Sequence, residues 1–507
     1  MTSLEPAEHW FATRRFTPLA FQREVWRAYL DGESGLVHAA TGTGKTLAAW
    51  FGPLLEWLAE SPVQPTTRRL KRSAAPALRV IWITPLRALA GDTLQSLQMP
   101  LADLGIPWTL EARTGDTKPG MRARQSKRLP TALVTTPESL TLLLTRADAR
   151  EIFTDLRLVV VDEWHELMGT KRGVQVELAL ARLRTLAPRA RTWGLSATIG
   201  NLSDARTALL GNGGERGRII SGAESKAVVV DSLIPPVIER FPWAGHLGTQ
   251  MVPQVIAAIE EGRSSIVFTN TRSQTEIWYQ AILAARPEWA GSIALHHGSL
   301  DRKTRDWVED GMRAGTLRCV IATSSLDLGV DFAPVDRVLQ VGSPKGVARI
   351  LQRAGRSGHR PGETSRVTCV PTNALELIEV AAVRDGILAG AMEVRQQVEG
   401  PLDVLAQHVV TVALGGGFVA DELLAEIRST RAFAGLSDEE WAWTLRFVGT
   451  GGESLTAYPE YARLEVEHGR YVLNDRAQAR RHRMSIGTIV SDAAIVVQYL
   501  RGGVLGS

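Results

Sequence analysis

Short, almost continuously apolar runs alternate with helix-length segments over most of the chain, and this pattern occurs twice. The first series is 35–40, 79–85, 131–137, 156–163 and 191–198, and the second is 264–270, 291–298, 318–325, 336–342 and 366–371. Runs without a polar face are typical of strands that helices cover on both sides. Their alternation with helices predicts right-handed βαβ units, and therefore two tandem α/β domains with parallel sheets.

From about residue 390 the pattern changes to short helices separated by glycines, followed by a segment that predicts a β-hairpin turning at His468 and Gly469. Helices followed by a hairpin favour a winged-helix domain, with a generic helical cap as the alternative. The segment 487–507 begins a β-rich unit and then stops, which predicts a truncated C-terminal domain. The expected domains are 1–232 and 233–390 (α/β), 391–475 (winged helix) and 476–507 (start of the last domain), with a Pro- and Gly-rich linker at 233–248.

The composition is that of a globular protein with more than one core. A chain of 507 residues with 44% hydrophobic and 22% charged residues is too long for one domain and too apolar for disorder. No membrane span or secretory signal is visible, and Cys319 and Cys369 lie in apolar runs, so a reduced, cytoplasmic protein is expected. The net charge of +4 and the basic clusters at 66–79, 122–128 and 476–483 are compatible with a polyanionic partner and equally with solvated surface.

A phosphate-binding loop follows the first apolar run. In AATGTGKT (39–46), the glycines allow the backbone to wrap around a phosphate at the start of a helix. Lys45 would neutralise the β- and γ-phosphates, and the hydroxyl of Thr46 would bind Mg²⁺. The residues predicted to hold ATP in this loop are Thr41, Gly42, Thr43, Gly44, Lys45 and Thr46.

Two further segments complete a predicted ATPase site. In LVVVDEWH (158–165), Asp162 ends an apolar strand and would hold Mg²⁺ through water, while Glu163 would contact the metal and orient or deprotonate the attacking water. In LQRAGRSGHR (351–360), Arg356 is the candidate arginine finger from the second domain. Gln352 is expected at the γ-phosphate or the water, and Arg353 at phosphate or an acidic partner.

These segments belong to a longer ordered series of motifs. The series is 18–22, 40–46, 84–90, 114–116, 135–140, 162–165, 196–198, 268–273, 296–300, 322–331 and 352–359. It resembles the complete motif set of DExH-box superfamily 2 helicases, in which alanine can replace the first glycine of the phosphate-binding loop, as Ala39 does here. The segments 343–362, 369–386 and 399–418 resemble more closely the Lhr ("large helicase-related") family, especially its bacterial ligase-associated group.

The resemblance implies two RecA-like domains followed by a winged helix, in a monomeric core that binds ATP and Mg²⁺. It implies 3′→5′ translocation on single-stranded DNA and unwinding of 3′-tailed DNA or RNA:DNA duplexes. It also implies a role in DNA repair with a DNA ligase and a nuclease as partners, in the cytoplasm at the nucleoid.

The resemblance also implies roles for individual residues. Gln22 would read the adenine edge, Gly329 and Asp331 would face the nucleotide, and His165, Ser196 and Thr198 would couple the ATP state to strand grip. The residues expected to line the strand backbone are Thr84, Arg87, Gly115, Thr136, Asn270, Thr271, Arg272, His297, Gly298, Thr323 and Ser324.

Two points of the comparison leave alternatives. Many relatives have arginine where this chain has His359, so a second finger is not assigned, although Arg360 is adjacent. The aromatic ring that would stack on adenine is Trp10, Phe11 or Phe16.

Other classes of function remain open from the sequence. An RNA helicase would use the same backbone contacts, because these contacts carry no base information. A nuclease-coupled motor would need a carboxylate–lysine nuclease centre, and no segment resembles one. An ATP-gated clamp without turnover is disfavoured by the presence of Lys45, Asp162, Glu163 and Arg356.

Overall fold

The computed structural model describes residues 3–60, 75–222, 227–234, 248–327, 335–357, 364–451, 464–487, 497–498 and 504–506. None of the helices in these ranges is long and apolar enough to cross a membrane. The predictions at Gly329, Asp331, His359 and Arg360, and most of the predicted linker, lie outside the described residues.

The first RecA-like domain is built on a parallel sheet of seven described strands in the order β3-β4-β2-β5-β6-β1-β7. Its strands are β1 (Gly35–His38), β2 (Val80–Ile83), β3 (Leu110–Arg113), β4 (Ala132–Thr135), β5 (Leu158–Val161), β6 (Arg191–Ser196) and β7 (Arg218–Ser221). Its helices are α1 (Glu5–Thr13), α2 (Ala20–Leu30), α3 (Lys45–Glu60), α4 (Leu89–Asp103), α5 (Pro119–Lys127), α6 (Pro137–Leu144), α7 (Ala149–Phe153), α8 (Trp164–Leu167), α9 (Lys171–Leu186) and α10 (Leu202–Leu210), with a 3₁₀ turn at Gly214–Arg216. Every residue of β2, β4 and β5 is buried, as their continuous apolar runs predict.

The second RecA-like domain has a parallel sheet of six described strands in the order β10-β11-β9-β12-β13-β8. Its strands are β8 (Val228–Ser232), β9 (Ser265–Phe268), β10 (Ile293–His296), β11 (Cys319–Ala322), β12 (Arg337–Val341) and β13 (Ser365–Val370). Its helices are α11 (Val252–Glu260), α12 (Arg272–Ala285), α13 (Arg302–Arg313), α14 (Val347–Ala354) and α15 (Ala374–Leu388), with 3₁₀ turns at Thr249–Met251, Pro287–Trp289 and Ser324–Leu326. The two predicted parallel-sheet domains are therefore confirmed.

The predicted boundary between the two domains needs a correction. The first domain was expected to extend to residue 232, but β8 pairs with β13 in the second sheet, with Val230 opposite Val367. Strand β8 is an edge strand in which only Val230 is buried, and its short apolar run Val228–Val230 does not indicate which of the two sheets it joins. Its place in the second sheet depends on a partner strand far along the chain.

The winged helix comprises α16 (Leu402–Leu414), α17 (Ala420–Arg428), α18 (Asp438–Thr450), the hairpin of β14 (Glu465–Glu467) and β15 (Arg470–Val472), and α19 (Arg476–Met484). Phe418 adds an antiparallel bridge to Tyr471 of the hairpin. The hairpin turns at His468 and Gly469, both in the left-handed region with φ of 50° and 77°, as the sequence predicts. Farther along the chain, β16 (Val497–Gln498) pairs with β17 (Val504–Gly506).

The winged helix shares a hydrophobic core with the first RecA-like domain. Val174 and Leu178 of α9 belong to the same buried cluster as Phe433 of the winged helix. Beside this cluster, the buried carboxylate of Glu177 accepts a hydrogen bond of 3.0 Å from the backbone N–H of Ala432. Ion pairs also join the two domains, namely Lys171–Asp403 and Arg182–Glu426. The winged helix is therefore packed on the first domain as a continuation of its core.

Candidate ATP site and nucleic-acid cleft

The phosphate-binding loop connects β1 to α3. Gly42 and Gly44 have φ of 78° and 82°, a conformation that glycine adopts without steric cost. Lys45 is buried at the start of α3, and its ammonium donates hydrogen bonds to the carbonyl oxygens of Ala39 (2.7 Å) and Ala40 (3.0 Å). Phosphate oxygens would compete for these donors, so the loop is suited to an anionic ligand.

The threonines of the loop have different environments. The hydroxyl of Thr43 donates to the carbonyl oxygen of Ala40 (2.7 Å), which holds the loop in shape. Thr46 is half-buried in the first turn of α3, next to Lys45. Thr41 faces the second domain, because a Cβ atom placed on Gly355 would lie 2.3 Å from its hydroxyl oxygen. Glycine at 355 therefore permits the second domain to approach the loop.

Asp162 follows β5 and is held by two hydrogen bonds. One carboxylate oxygen accepts from the indole N–H of Trp82 (3.1 Å), and the other accepts from the backbone N–H of Glu163 (2.9 Å). Burial and the neighbouring charge of Glu163 raise the pKa of Asp162 to about 7. Burial lowers the pKa of Lys45, although Glu163 and Asp162 oppose that shift.

The acidic pair fits a divalent cation. Glu163 has a left-handed backbone (φ 46°), and its Oε2 is buried without a hydrogen bond from the described residues. A cation between the carboxylates would offset both the desolvation and the mutual repulsion of Asp162 and Glu163. Thr46, Asp162 and Glu163 supply the oxygen ligands that Mg²⁺ prefers.

Gln352 of α14 reaches from the second domain into the first. Its side-chain nitrogen lies 2.8 Å from Nε2 of His165 and donates to Oε1 of Glu166 (2.9 Å). Its amide therefore binds the DExH loop in this structure, and a contact with γ-phosphate or water stays a prediction. His165 is buried, and its Nδ1 lies 3.5 Å from the backbone nitrogen of Ala197, between Ser196 and Thr198.

Ser196 and Thr198 are themselves buried, and their hydroxyl oxygens have no hydrogen-bond partner among the described residues. Both lie beside His165, which contacts the second domain. This placement is compatible with the predicted coupling role of all three residues.

Arg353 is bound inside the second domain. Its guanidinium donates to both carboxylate oxygens of Asp327 (2.8 and 3.2 Å) and to the side-chain oxygen of Gln340, and it lies over the ring of Phe268. The acidic partner expected for Arg353 is therefore Asp327. The guanidinium is fully buried on these groups in this structure, and a contact with nucleotide stays a prediction.

Arg356 lies directly after Gly355, at the point where the second domain approaches Thr41. It is buried, and one of its nitrogens donates to the backbone carbonyl of Asp327 (3.0 Å). Asp327 thus orients both arginines, a role that the sequence analysis missed although the residue lies within the motif 322–331.

Gln22 is buried beside the phosphate-binding loop. Its side-chain nitrogen donates to the carbonyl oxygen of Gly44 (3.1 Å), and its oxygen accepts from the backbone N–H of Leu19 (2.8 Å). It supports the loop in this structure, and recognition of adenine stays a prediction. Of the candidate stacking aromatics, Trp10 and Phe11 are core residues, while Phe16 is 63% exposed and is the candidate that remains.

A cleft of about 1120 Å³ lies between the two RecA-like domains. Its volume exceeds that of most small-molecule pockets and suits an extended chain. Eight of the predicted strand-binding residues line this cleft, namely Arg87, Thr136, Asn270, Thr271, Arg272, Gly298, Thr323 and Ser324. The first two belong to the first domain and the others to the second.

Three of the predicted strand-binding residues do not line the cleft. Thr84 is fully buried, and its hydroxyl donates to the carbonyl oxygens of Leu86 and Thr135. Gly115 lies behind Arg87, whose guanidinium carbon would be 2.5 Å from an added Cβ atom. His297 lies in a separate cavity of the second domain, 3.5 Å from a carboxylate oxygen of Glu276. These three residues therefore lie away from the cleft in this structure, and their contact with a strand stays a prediction.

The cleft also holds a network that the sequence analysis missed. His296 lines the cleft, with Nδ1 2.8 Å from the hydroxyl oxygen of Ser325 and Nε2 3.3 Å from a carboxylate oxygen of Glu309. On the same helix as Glu309, Arg313 forms an ion pair of 3.3 Å with Asp92 of the first domain. The network therefore runs from His296 in the second domain across the cleft to Asp92 in the first domain.

Comparison with known proteins agrees with this geometry. Three family models match: "DEAD/DEAH box helicase" over residues 19–205, "Helicase conserved C-terminal domain" over 249–361, and "Large helicase-related protein, winged helix domain" over 385–507. The last match includes the stretch 476–507, which the sequence analysis had assigned to a further domain.

Similar proteins of known name share this organisation. The chain is 32% identical to the "Lhr helicase/ probable uracil glycosylase" of Mycolicibacterium smegmatis, over 97% of this chain and 34% of that protein. It is 30% identical to the "ATP-dependent helicase Lhr-Core" of Methanocaldococcus jannaschii, over 97% of this chain and 58% of that protein. The chain thus spans about a third to three fifths of the length of these relatives.

Among solved structures, the "Mycobacterium smegmatis helicase Lhr bound to ssDNA and AMP-PNP" matches with a TM-score of 0.81 and 32% identity, over 95% of this chain and 61% of that one. The fold and the site together define the core of a superfamily 2 helicase of the DEAD/DEAH-box type. Within that class, the chain belongs to the Lhr (large helicase-related) family.

Proposed function

We propose that the chain is an ATP-dependent helicase motor that hydrolyses ATP between its RecA-like domains and moves along a nucleic acid strand. The contact of Gln352 with His165 is the observation on which this proposal rests. It joins α14, which leads to the candidate finger Arg356, to the loop that contains Glu163, the candidate for activating the water. The same two domains form the cleft, so a change in their separation acts on nucleotide and strand together.

The chemistry assigned to this chain follows from its charged groups. Lys45 neutralises phosphate charge, Glu163 orients and deprotonates the attacking water, and Arg356 approaches from the second domain to stabilise charge on the transferred phosphoryl group. Thr46, Asp162 and Glu163 would hold Mg²⁺, which would supply positive charge against the charge that develops on the phosphates. Gly329 and Asp331 are proposed to face the nucleotide from the second domain.

Single-stranded DNA is the proposed strand, with 3′→5′ translocation and unwinding of 3′-tailed DNA or RNA:DNA duplexes. Hydroxyl, amide and guanidinium groups line the cleft, and such groups hold phosphates without reading base sequence. The relative solved with single-stranded DNA and AMP-PNP supports the choice of DNA and ATP.

The proposed setting is DNA repair in the bacterial cytoplasm, at the nucleoid. It is supported by the resemblance of residues 343–362, 369–386 and 399–418 to the ligase-associated group of the family. A DNA ligase and a nuclease are the proposed partners of a monomeric core.

The test is a comparison of ATP hydrolysis with single-stranded DNA, single-stranded RNA or no strand, followed by unwinding of 3′- and 5′-tailed DNA:DNA and RNA:DNA duplexes. We expect DNA to stimulate hydrolysis and 3′ tails to support more unwinding than 5′ tails. If neither DNA nor RNA increased the rate of ATP hydrolysis, the proposal of a nucleic-acid-dependent motor would be wrong. Stimulation by RNA alone would instead identify an RNA remodeller.

A further inference from the structure

A strap of irregular backbone, residues 391–400, connects the second RecA-like domain to the winged helix and lies on the first domain. The carbonyl oxygen of Glu393 accepts a hydrogen bond from the backbone N–H of Gly200 (3.4 Å). The backbone of Arg395 exchanges two hydrogen bonds with the side chain of Asn201 (3.1 and 3.2 Å). The strap is therefore attached to the first domain just after the motif that contains Thr198.

The backbone of Glu393 contacts the first domain, whereas its side chain points to the second domain and binds the beginning of α14. Its carboxylate accepts hydrogen bonds from the backbone N–H groups of Ala348 (3.0 Å) and Val347. These N–H groups lie at the positive end of the helix, and a carboxylate there makes charge-assisted hydrogen bonds. An added Cβ atom at Gly346 would lie 2.5 Å from Glu393 Oε1, so glycine leaves room for the carboxylate.

Helix α14 is attached to the first domain at both of its ends. Glu393 binds its first turn, and Gln352, in its last turn, contacts His165 and Glu166. Arg356 follows two residues after the end of the helix. Two attachments fix both the tilt and the rotation of a short helix, whereas one attachment leaves it able to pivot.

We infer that Glu393 is a positioning residue for the arginine finger, which holds α14 in register with the first domain so that Arg356 meets the transferred phosphoryl group. This inference rests on the proposed ATPase function and adds to it a residue outside the helicase motifs. Because Glu393 is part of the strap that leads into the winged helix, it also links that domain to the rate of ATP hydrolysis.

The test compares Glu393→Ala and Glu393→Gln with Asn373→Ala. Asn373 is a matched control because its side chain accepts a hydrogen bond from the backbone N–H of Glu376 (3.2 Å) at the start of α15, within the same domain. Both alanine variants lose a helix cap in the second domain, but only Glu393→Ala loses a contact between domains. DNA-stimulated kcat, KM for ATP, affinity for AMP-PNP and thermal midpoint are measured for each.

We expect Glu393→Ala to lower kcat by about tenfold or more, because small displacements of a catalytic group cost that much, with KM and AMP-PNP affinity changed by less than about twofold. Glu393→Gln keeps an oxygen acceptor without the charge and should give an intermediate kcat while folding normally. Asn373→Ala should retain a kcat close to that of the native protein at a comparable loss of thermal stability.

A kcat for both Glu393 variants no lower than that of Asn373→Ala would overturn the inference. So would a rise in KM with kcat unchanged, since that pattern belongs to a residue that contributes to ATP binding. If the native chain itself hydrolysed no ATP with any strand, the proposed function would fail first, and this result is distinguishable from the other two.

Discussion

The side-chain nitrogen of Gln352, in the second RecA-like domain, lies 2.8 Å from Nε2 of His165 in the first. Burial lowers the pKa of His165 to about 4, so the imidazole is neutral near pH 7. Both ring nitrogens of His165 face N–H groups: Nε2 faces the Gln352 amide, and Nδ1 lies 3.5 Å from the backbone N–H of Ala197. Nδ1 is also 3.6 Å from a carboxylate oxygen of Glu163. The position of the second domain is therefore connected through His165 to the candidate water-activating carboxylate.

Replacing Gln352 should separate ATP binding from ATP hydrolysis. Gln352→Glu would place a carboxylate beside Glu166, and this repulsion should disfavour domain closure more strongly than the loss of the amide in Gln352→Ala. We expect DNA-stimulated kcat to fall in the order native, Gln352→Ala, Gln352→Glu, measured as steady-state phosphate release. Equal rates in the two variants would show that Glu166 does not approach this position during turnover.

Lys45→Ala and Glu163→Gln should both abolish hydrolysis but differ in ATP affinity. The lysine change removes a buried cation from the phosphates and should weaken binding of a fluorescent ATP analogue. The glutamate change keeps the shape of the side chain and should leave ATP bound. Near-normal phosphate release by Glu163→Gln would show that another group activates the water.

The indole of Trp82 should set the metal requirement of the ATPase, because it holds the carboxylate of Asp162. We expect Trp82→Phe to raise the Mg²⁺ concentration for half-maximal hydrolysis by about tenfold, since a hydrogen bond to a charged group contributes about 1.5–3 kcal/mol. Trp50→Phe is the matched control: its ring centroid lies 6.4 Å from that of Trp82, and its N–H donates to the carbonyl of Leu97 instead. A similar Mg²⁺ shift in both variants would assign the effect to packing.

Glu177 should make the joint between the first domain and the winged helix sensitive to pH. Burial raises its pKa from 4.5 to about 7, although hydrogen bonds and arginine charges oppose the shift. Between these values the folded protein keeps a proton that the unfolded chain has released, so its free energy of unfolding falls as pH rises through this window. Glu177→Gln cannot titrate and should gain stability relative to the native protein, on the order of 2–3 kcal/mol, from pH 4 to pH 8.

Urea unfolding of Glu177→Gln and the native protein at several pH values measures this difference. Curves of midpoint against pH that run parallel for the two proteins would mean that the pKa of Glu177 is the same in the folded and the unfolded protein.

The buried strands and the ATP site could be predicted because their signals are local. Four consecutive apolar residues in β5 and the spacing of Gly42, Gly44 and Lys45 are each sufficient on a short stretch of sequence. Strand β3 was missed because its residues are only half-buried at the sheet edge and include Glu111 and Arg113. No periodic apolar signal exists for such a strand.

The differences between the predicted residues and the lining of the cleft have another physical cause. The sequence analysis chose His297, whereas the neighbouring His296 lines the cleft. Strand β10 ends at His296, so His297 is the first residue of the following loop and its side chain enters a different cavity. The contacts between domains, such as Gln352 with His165 and Glu393 with α14, join residues far apart in sequence, and no local pattern encodes them.

The cluster that includes Val174, Leu178 and Phe433 has a mechanical consequence. Force applied to the winged helix by a resisting duplex would pass directly into α9, because separating these elements would expose apolar surface to water. The first domain and the winged helix would then act as a stationary frame against which the second domain swings. A fragment that ended before the winged helix would leave Val174 and Leu178 uncovered, and such a patch favours aggregation of the isolated motor.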